Sequence, residues 1–146
     1  MQLSLLGGSG LQQIGKTVNL RAHHLLCTRT FSGAGYNQAF IDNMRRVVDA
    51  CMLVSCRIKI VAGLDDICAF CPHSNGQLCK KSGSKAPDMD KEVLNILGIK
   101  TNDTYTAVAL DKKIRNAVRR GLFRDICSRC EWFKDYCRPI IDPCCH

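Results

Sequence analysis

Two stretches of the chain follow one pattern: Asp66-Ile67-Cys68-x-x-Cys71-x7-Cys79 and Asp125-Ile126-Cys127-x-x-Cys130-x6-Cys137. Their first cysteines stand 59 positions apart, at 68 and 127. A C-x-x-C pair alone says little, because 11 cysteines scattered through 146 residues give about one such pair by accident. The shared Asp-Ile-Cys tripeptide and the third cysteine at nearly equal distance lift the pattern above chance. Two intervening residues let both thiolates of such a turn reach one metal or cluster, while neighbouring backbone N–H groups aim at the sulfurs. Each stretch offers three thiolates, and a tetrahedral ion or a cubane cluster takes four ligands.

A disulfide framework explains the cysteines less well. Their number is odd, Met1 to Gly10 carries neither a basic n-region nor an apolar h-region of secretory length, and reducing cytosol opposes stable disulfides. No stretch approaches the roughly 20 apolar residues needed to cross a bilayer. The protein is therefore expected to be cytoplasmic, with no membrane association. Apolar residues make up 46% of the chain and charged residues 23%, which excludes disorder for most of its length. The chain length suits one domain. Residues 1–17, with Gly7-Gly8-Ser9-Gly10 and Gly15, read as a flexible extension, and 18–146 as a single cysteine-rich domain.

Within that domain the apolar run from Val18 to Phe31 is broken by Arg21, His23 and His24, and periodicity does not choose between strand and short helix. A strand over 18–27 is the working expectation. Phe40, Met44, Val47, Val48 and Cys51 recur at helical spacing and predict a helix over 37–53, whereas Cys56, Ile58 and Ile60 alternate with polar or outward residues as in a half-buried strand over 56–62. Cys51 and Cys56 fall on core faces and are expected to be structural. Residues 64–87 hold Cys68, Cys71 and Cys79 but no periodic run, so this long loop needs a tether. Asp88 or Asp90 is placed to cap a helix ending at Gly98, and Thr104 one reaching Arg120 with Gly121 beyond it. A last helical or turn segment covers 122–136. The expected fold class is α+β, mostly helical, with a small two- or three-stranded sheet and the cysteine loops meeting at one end.

The fourth ligand is expected from Arg21-Ala22-His23-His24-Leu25-Leu26-Cys27. Pairing of the 18–27 and 56–62 strands would carry Cys27 to the stretch of Cys68, Cys71 and Cys79. The other stretch would then draw on His23, His24 or the Cys144-Cys145 tail, or stay a three-thiol site. His23 shares a face with Cys27 in helix or strand, and His24 only in a helix. Both read equally as ligands, as groups supporting ligands, or as a hydrogen-bonded pair. His73 and His146 are further candidates.

Spacing alone does not separate zinc from an iron–sulfur cluster, since both accept thiolates with or without an imidazole. An iron–sulfur cluster, most simply 4Fe-4S, fits a role in electron transfer or redox sensing with a redox partner protein. Structural zinc fits an interaction module. Lys plus Arg outnumber Asp plus Glu by 21 to 13, a formal +8, but each four-thiolate site would take back about two of those charges. The basic face of Lys112, Lys113, Arg115, Arg119 and Arg120 invites nucleic acid, yet no aromatic residue is interleaved there for stacking. No nucleophile motif, Gly-rich phosphate loop or H-E-x-x-H indicates an enzyme.

The ordered motifs Arg-Ala-His-His-Leu-Leu-Cys at 21–27, Gly33-x-Gly35-Tyr36, Asp65-Asp66-Ile67-Cys68-x-x-Cys71-Pro72 and Cys127-x-x-Cys130-x-Trp132 resemble the domain-of-unknown-function family numbered 1284. The resemblance covers roughly 19–137 and departs at Ala22, where the family usually has Gly. It implies metal or cluster binding, iron–sulfur being the kind suspected for the family, and points at Cys27, Cys68, Cys71, Cys79, Cys127, Cys130 and Cys137. It implies no reaction.

Overall fold

Val18 and Leu20 are buried while Thr17 and Asn19 face solvent, and this alternation forms strand β1 (Thr17–Leu20) of the computed structural model, which describes residues 16–53, 55–76, 79 and 85–141. The strand stops well short of residue 27. The last ladder bond runs from the Val61 N–H to the Leu20 carbonyl (3.0 Å). The Arg21 amide then donates to Asp65 instead (2.8 Å), which turns the chain into helix α1 (His24–Thr30). Leu25, Leu26 and Thr30 bury against the core from this helix. The expected 18–27 strand is thus corrected to a short strand followed by a helix, and Cys27 is helical.

Helix α2 (Gln38–Cys51) matches its periodicity, with the Asn37 side chain accepting from the Phe40 N–H at its start (2.8 Å). Strand β2 (Arg57–Ile60) repeats the alternation of β1, with Ile58 and Ile60 inward. It pairs parallel with β1, as expected of neighbours joined through helices. A 3-10 turn over Cys68–Phe70 opens the first cysteine stretch. Helix α3 (Lys85–Leu97) begins before Asp88, and its buried stripe is Ala86, Asp90, Val93 and Leu97. Asp90 is therefore not a cap; its carboxylate faces the core. Gly98, at φ 66°, ends the helix in the left-handed region that Gly enters without strain.

Strand β3 (Thr104–Thr106) joins β2 antiparallel and completes a three-stranded sheet in the order β1-β2-β3. Thr104 belongs to this strand. The cap of helix α4 (Ala107–Arg119) is Thr106, whose hydroxyl accepts from the Ala109 N–H (3.1 Å). Ala107, Leu110, Ile114 and Ala117 are its buried face, and Lys112, Lys113, Arg115 and Arg119 its exposed one. Asp111 tempers that basic face by pairing with Arg115 and with Arg29 of α1. Helix α5 (Arg124–Cys127), a π-type turn over Phe133–Cys137 and helix α6 (Arg138–Ile141) close the described chain. Phe123 and Ile141 are fully buried, and α6 packs on α1 and α5.

The fold is α+β, mostly helical with a small mixed sheet. No helix among the described residues is long and apolar enough to cross a membrane. Most of the extension assigned to 1–17 and the tail residues Cys144, Cys145 and His146 lie outside the described residues, as do 77–78 and 80–84 of the 64–87 loop.

Candidate metal centre

The two cysteine stretches fold alike at their start. The Cys71 N–H donates to the Cys68 carbonyl (3.0 Å), and the Cys130 N–H to the Cys127 carbonyl (2.9 Å). Each C-x-x-C is thus one tight turn, which brings its two thiols to the same side. The third cysteines return differently. Cys79 comes back through an antiparallel bridge to Ser74. Cys137 comes back through the π-type turn, and its thiol donates to the Thr30 hydroxyl (3.2 Å) on α1. The matching aspartates do not act alike either: Asp66 accepts from the Asn19 N–H (2.8 Å), whereas Asp125 is exposed.

Both stretches and α1 open onto one cavity of about 510 Å³. Cys68, Cys71, Cys79, Cys127, Cys130 and Cys137 line it from the two stretches. His23, His24 and Cys27 line it from the start of α1. All nine candidate residues therefore face a common space.

Cys27 lies with the second stretch. Burial pushes its thiol well above the ordinary range, and Cys130, Cys137 and Cys127 push it further. Cys127 rises to about 12 through burial and then through Cys137 and Cys130. Cys137 also rises, mainly by burial, although the Thr30 hydroxyl opposes this. The expectation places Cys27 with Cys68, Cys71 and Cys79; the parallel pairing it relied on exists, and the thiols that act on Cys27 are those of the second stretch. Cys27, Cys127 and Cys137, each raised by burial and by Cys130, hold their protons until a cation replaces them, so the donor set suits a metal or cluster. Arg129 works in the opposite direction on Cys127.

The histidines are held by two carboxylates. His24 Nδ1 lies 2.7 Å from Asp65 Oδ2, and His23 Nδ1 lies 2.7 Å from Asp90 Oδ1. Asp90 also accepts from the His23 N–H (3.0 Å) and from Arg21 Nε (2.9 Å). Asp65 Oδ2 accepts from the Arg21 N–H, and its Oδ1 from the N–H groups of Ile67 (3.0 Å) and Cys68 (3.2 Å). Burial works to raise Asp65, but His24 and these donors outweigh it and hold the carboxyl down to about 2. Burial lowers His23, with His24 adding to the effect and Asp90 opposing it. The imidazole rings stand 4.4 Å apart.

His24, Asp65 and Cys68 form a candidate metal site, with one ligand atom from each lying within 4.8 Å of the others. Cys68 itself is raised to about 12 by burial and then by Asp65. Elsewhere, Cys51 and Cys56 hydrogen-bond to each other outside the cavity. His73 also lines the cavity, with its ring edge-on to Tyr36, 4.5 Å between centroids. None of the nine described cysteines is in a disulfide.

Sequence reasoning missed Asp65, Asp90, Arg21 and Thr30 as parts of the site. A signal was present for Asp90: it falls in the Ala86, Val93, Leu97 stripe, and an acid on a buried helical stripe demands a partner. Thr30 follows Cys27 by three residues and so shares its helix face.

Residues 35–137 match the model of a family described as "Protein of unknown function (DUF1284)". That match begins beyond Cys27, so the grouping of Cys27 rests on the structure. No curated protein and no solved structure matches the chain.

Proposed function

Since the chain belongs to the DUF1284 family, whose description assigns no activity, we propose that it carries a 4Fe-4S cluster on Cys27, Cys127, Cys130 and Cys137 and works in electron transfer or redox sensing. The observation that supports this reading is the spread of these thiols around a common cavity. Zinc at about 2.3 Å from each sulfur would draw four thiolates to about 3.8 Å from one another. Among the described residues, three ligand atoms come mutually within 4.8 Å at His24, Asp65 and Cys68 and not among these sulfurs. A cubane holds its outer thiolates about 6.5 Å apart and accommodates the wider set.

The surroundings agree with a cluster that must be kept dry. Trp132 and Tyr136 pack at a tilt with 5.5 Å between ring centroids, and Tyr36 meets Trp132 edge-on at 5.4 Å, all three lining the cavity together with Cys130 and Cys137. Such a shell limits water and raises the weight of nearby charges on a cluster's potential. Protein purified without oxygen is expected to be brown, with broad visible absorption that bleaches on reduction, and to contain about four iron and four sulfide per chain. Colourless protein containing zinc and no sulfide, after an anaerobic preparation, overturns the reading.

A further inference from the structure

With Cys27 drawn to the second stretch, the first stretch keeps three thiols and lacks a fourth ligand. We propose that His24 supplies it through Nε2, so that Cys68, Cys71, Cys79 and His24 form a separate site for a zinc-class divalent ion. This rests on the cluster reading only for the place of Cys27.

Geometry selects the nitrogen and the role of Asp65. Both Asp65 oxygens are already occupied: Oδ2 accepts from the Arg21 N–H and His24, and Oδ1 from the Ile67 and Cys68 N–H groups. Four donors leave the carboxylate little capacity for a metal. A carboxylate offers no proton, so His24 Nδ1 is the donor in their 2.7 Å contact, and the lone pair remains on Nε2. A carboxylate behind the distal nitrogen is the usual support of a metal-bound imidazole, fixing tautomer and ring orientation. His24 lines the same cavity as the three thiols, and its ligand atom, that of Cys68 and that of Asp65 lie mutually within 4.8 Å. The mixed nitrogen and sulfur donors suit a single tetrahedral ion, and the His24 and Cys68 ligand atoms already lie within 4.8 Å of each other. His23 is held in the same manner, by Asp90 at Nδ1, and what singles out His24 is that its ligand atom lies within 4.8 Å of that of Cys68.

The probe is Co(II), which shows d–d and thiolate charge-transfer bands in tetrahedral sites. It is titrated without oxygen into two forms of the full chain: native protein with its cluster assembled, and Cys127→Ala/Cys130→Ala, in which the four-thiol set is broken. Both are expected to bind one Co(II) per chain with tetrahedral bands, displaced by one Zn(II). His24→Gln is expected to weaken binding at least 10-fold and shift the bands, and Asp65→Asn to weaken it 10- to 100-fold. His24→Cys, which restores a fourth ligand, is expected to recover affinity with bands moved toward those of an all-thiolate site. Co(II) bound to His24→Gln with native affinity and bands overturns the proposal, as does its absence from both forms of the chain. Failure of the cluster reading shows instead in iron and sulfide, and leaves the cobalt result of the double variant intact.

Discussion

Asp65→Ala is expected to destabilise the protein by about 4 kcal/mol, roughly a third to a half of a typical domain's stability. The Asp65 side chain is wholly buried. It ties together three pieces of chain: the end of β1 at Arg21, the start of α1 at His24, and the first cysteine turn at Ile67 and Cys68. Truncation strands three donors, the N–H groups of Arg21 and Ile67 and His24 Nδ1, while the Cys68 N–H keeps the Asp65 backbone carbonyl; each buried donor left unpaired costs about 1–3 kcal/mol, partly recovered by relaxation. Asp65→Asn should cost less, since the amide oxygen still accepts on one side while its NH2 opposes a donor on the other. Acid should mimic the loss. The folded-state value of about 2 lies below the ordinary 3.8, so this carboxylate contributes stability above the higher value, and the contribution fades as pH falls through the lower one. Denaturant titration at neutral pH and at pH 2 checks both expectations, and an Asp65→Ala variant within 1 kcal/mol of native would contradict them.

Loss of the cluster is expected to lower the melting temperature by on the order of 10–20 °C. Binding to the folded chain alone is folding energy, and a chain of this size shifts about 2–4 °C per kcal/mol. Without metal, the end of the chain is held to α1 by Ile141, by the Cys137 to Thr30 contact and by the packing around Phe123. The four thiols then line a cavity of about 510 Å³. A melting curve unchanged after verified removal of iron and sulfide would count against a structural role.

What the sequence made legible was local. Helix α2 and strand β2 were readable because their apolar residues recur at 3.6 and 2, and Asn37 caps α2 by its own side chain. The cysteine turns were readable because a C-x-x-C fixes its geometry within four residues. What escaped depended on contacts distant in sequence. Leu25 and Leu26 are buried whether 21–27 is strand or helix, and the choice is made by Asp65, 44 positions beyond Arg21. Cys27 reaches the second stretch because Cys137 contacts Thr30 across 107 positions, an encounter no spacing encodes. Thr104 and Asp90 looked like caps because short polar residues serve equally as caps, strand ends and buried partners.

The central claim is that the thiols divide as Cys27 with Cys127, Cys130 and Cys137, and Cys68 with Cys71 and Cys79. Iron and sulfide content of Cys27→Ala and Cys68→Ala, prepared without oxygen beside native protein, tests that division most directly. The account predicts that Cys27→Ala loses the cluster and Cys68→Ala keeps about four irons per chain. Full iron in Cys27→Ala together with its loss from Cys68→Ala would contradict it.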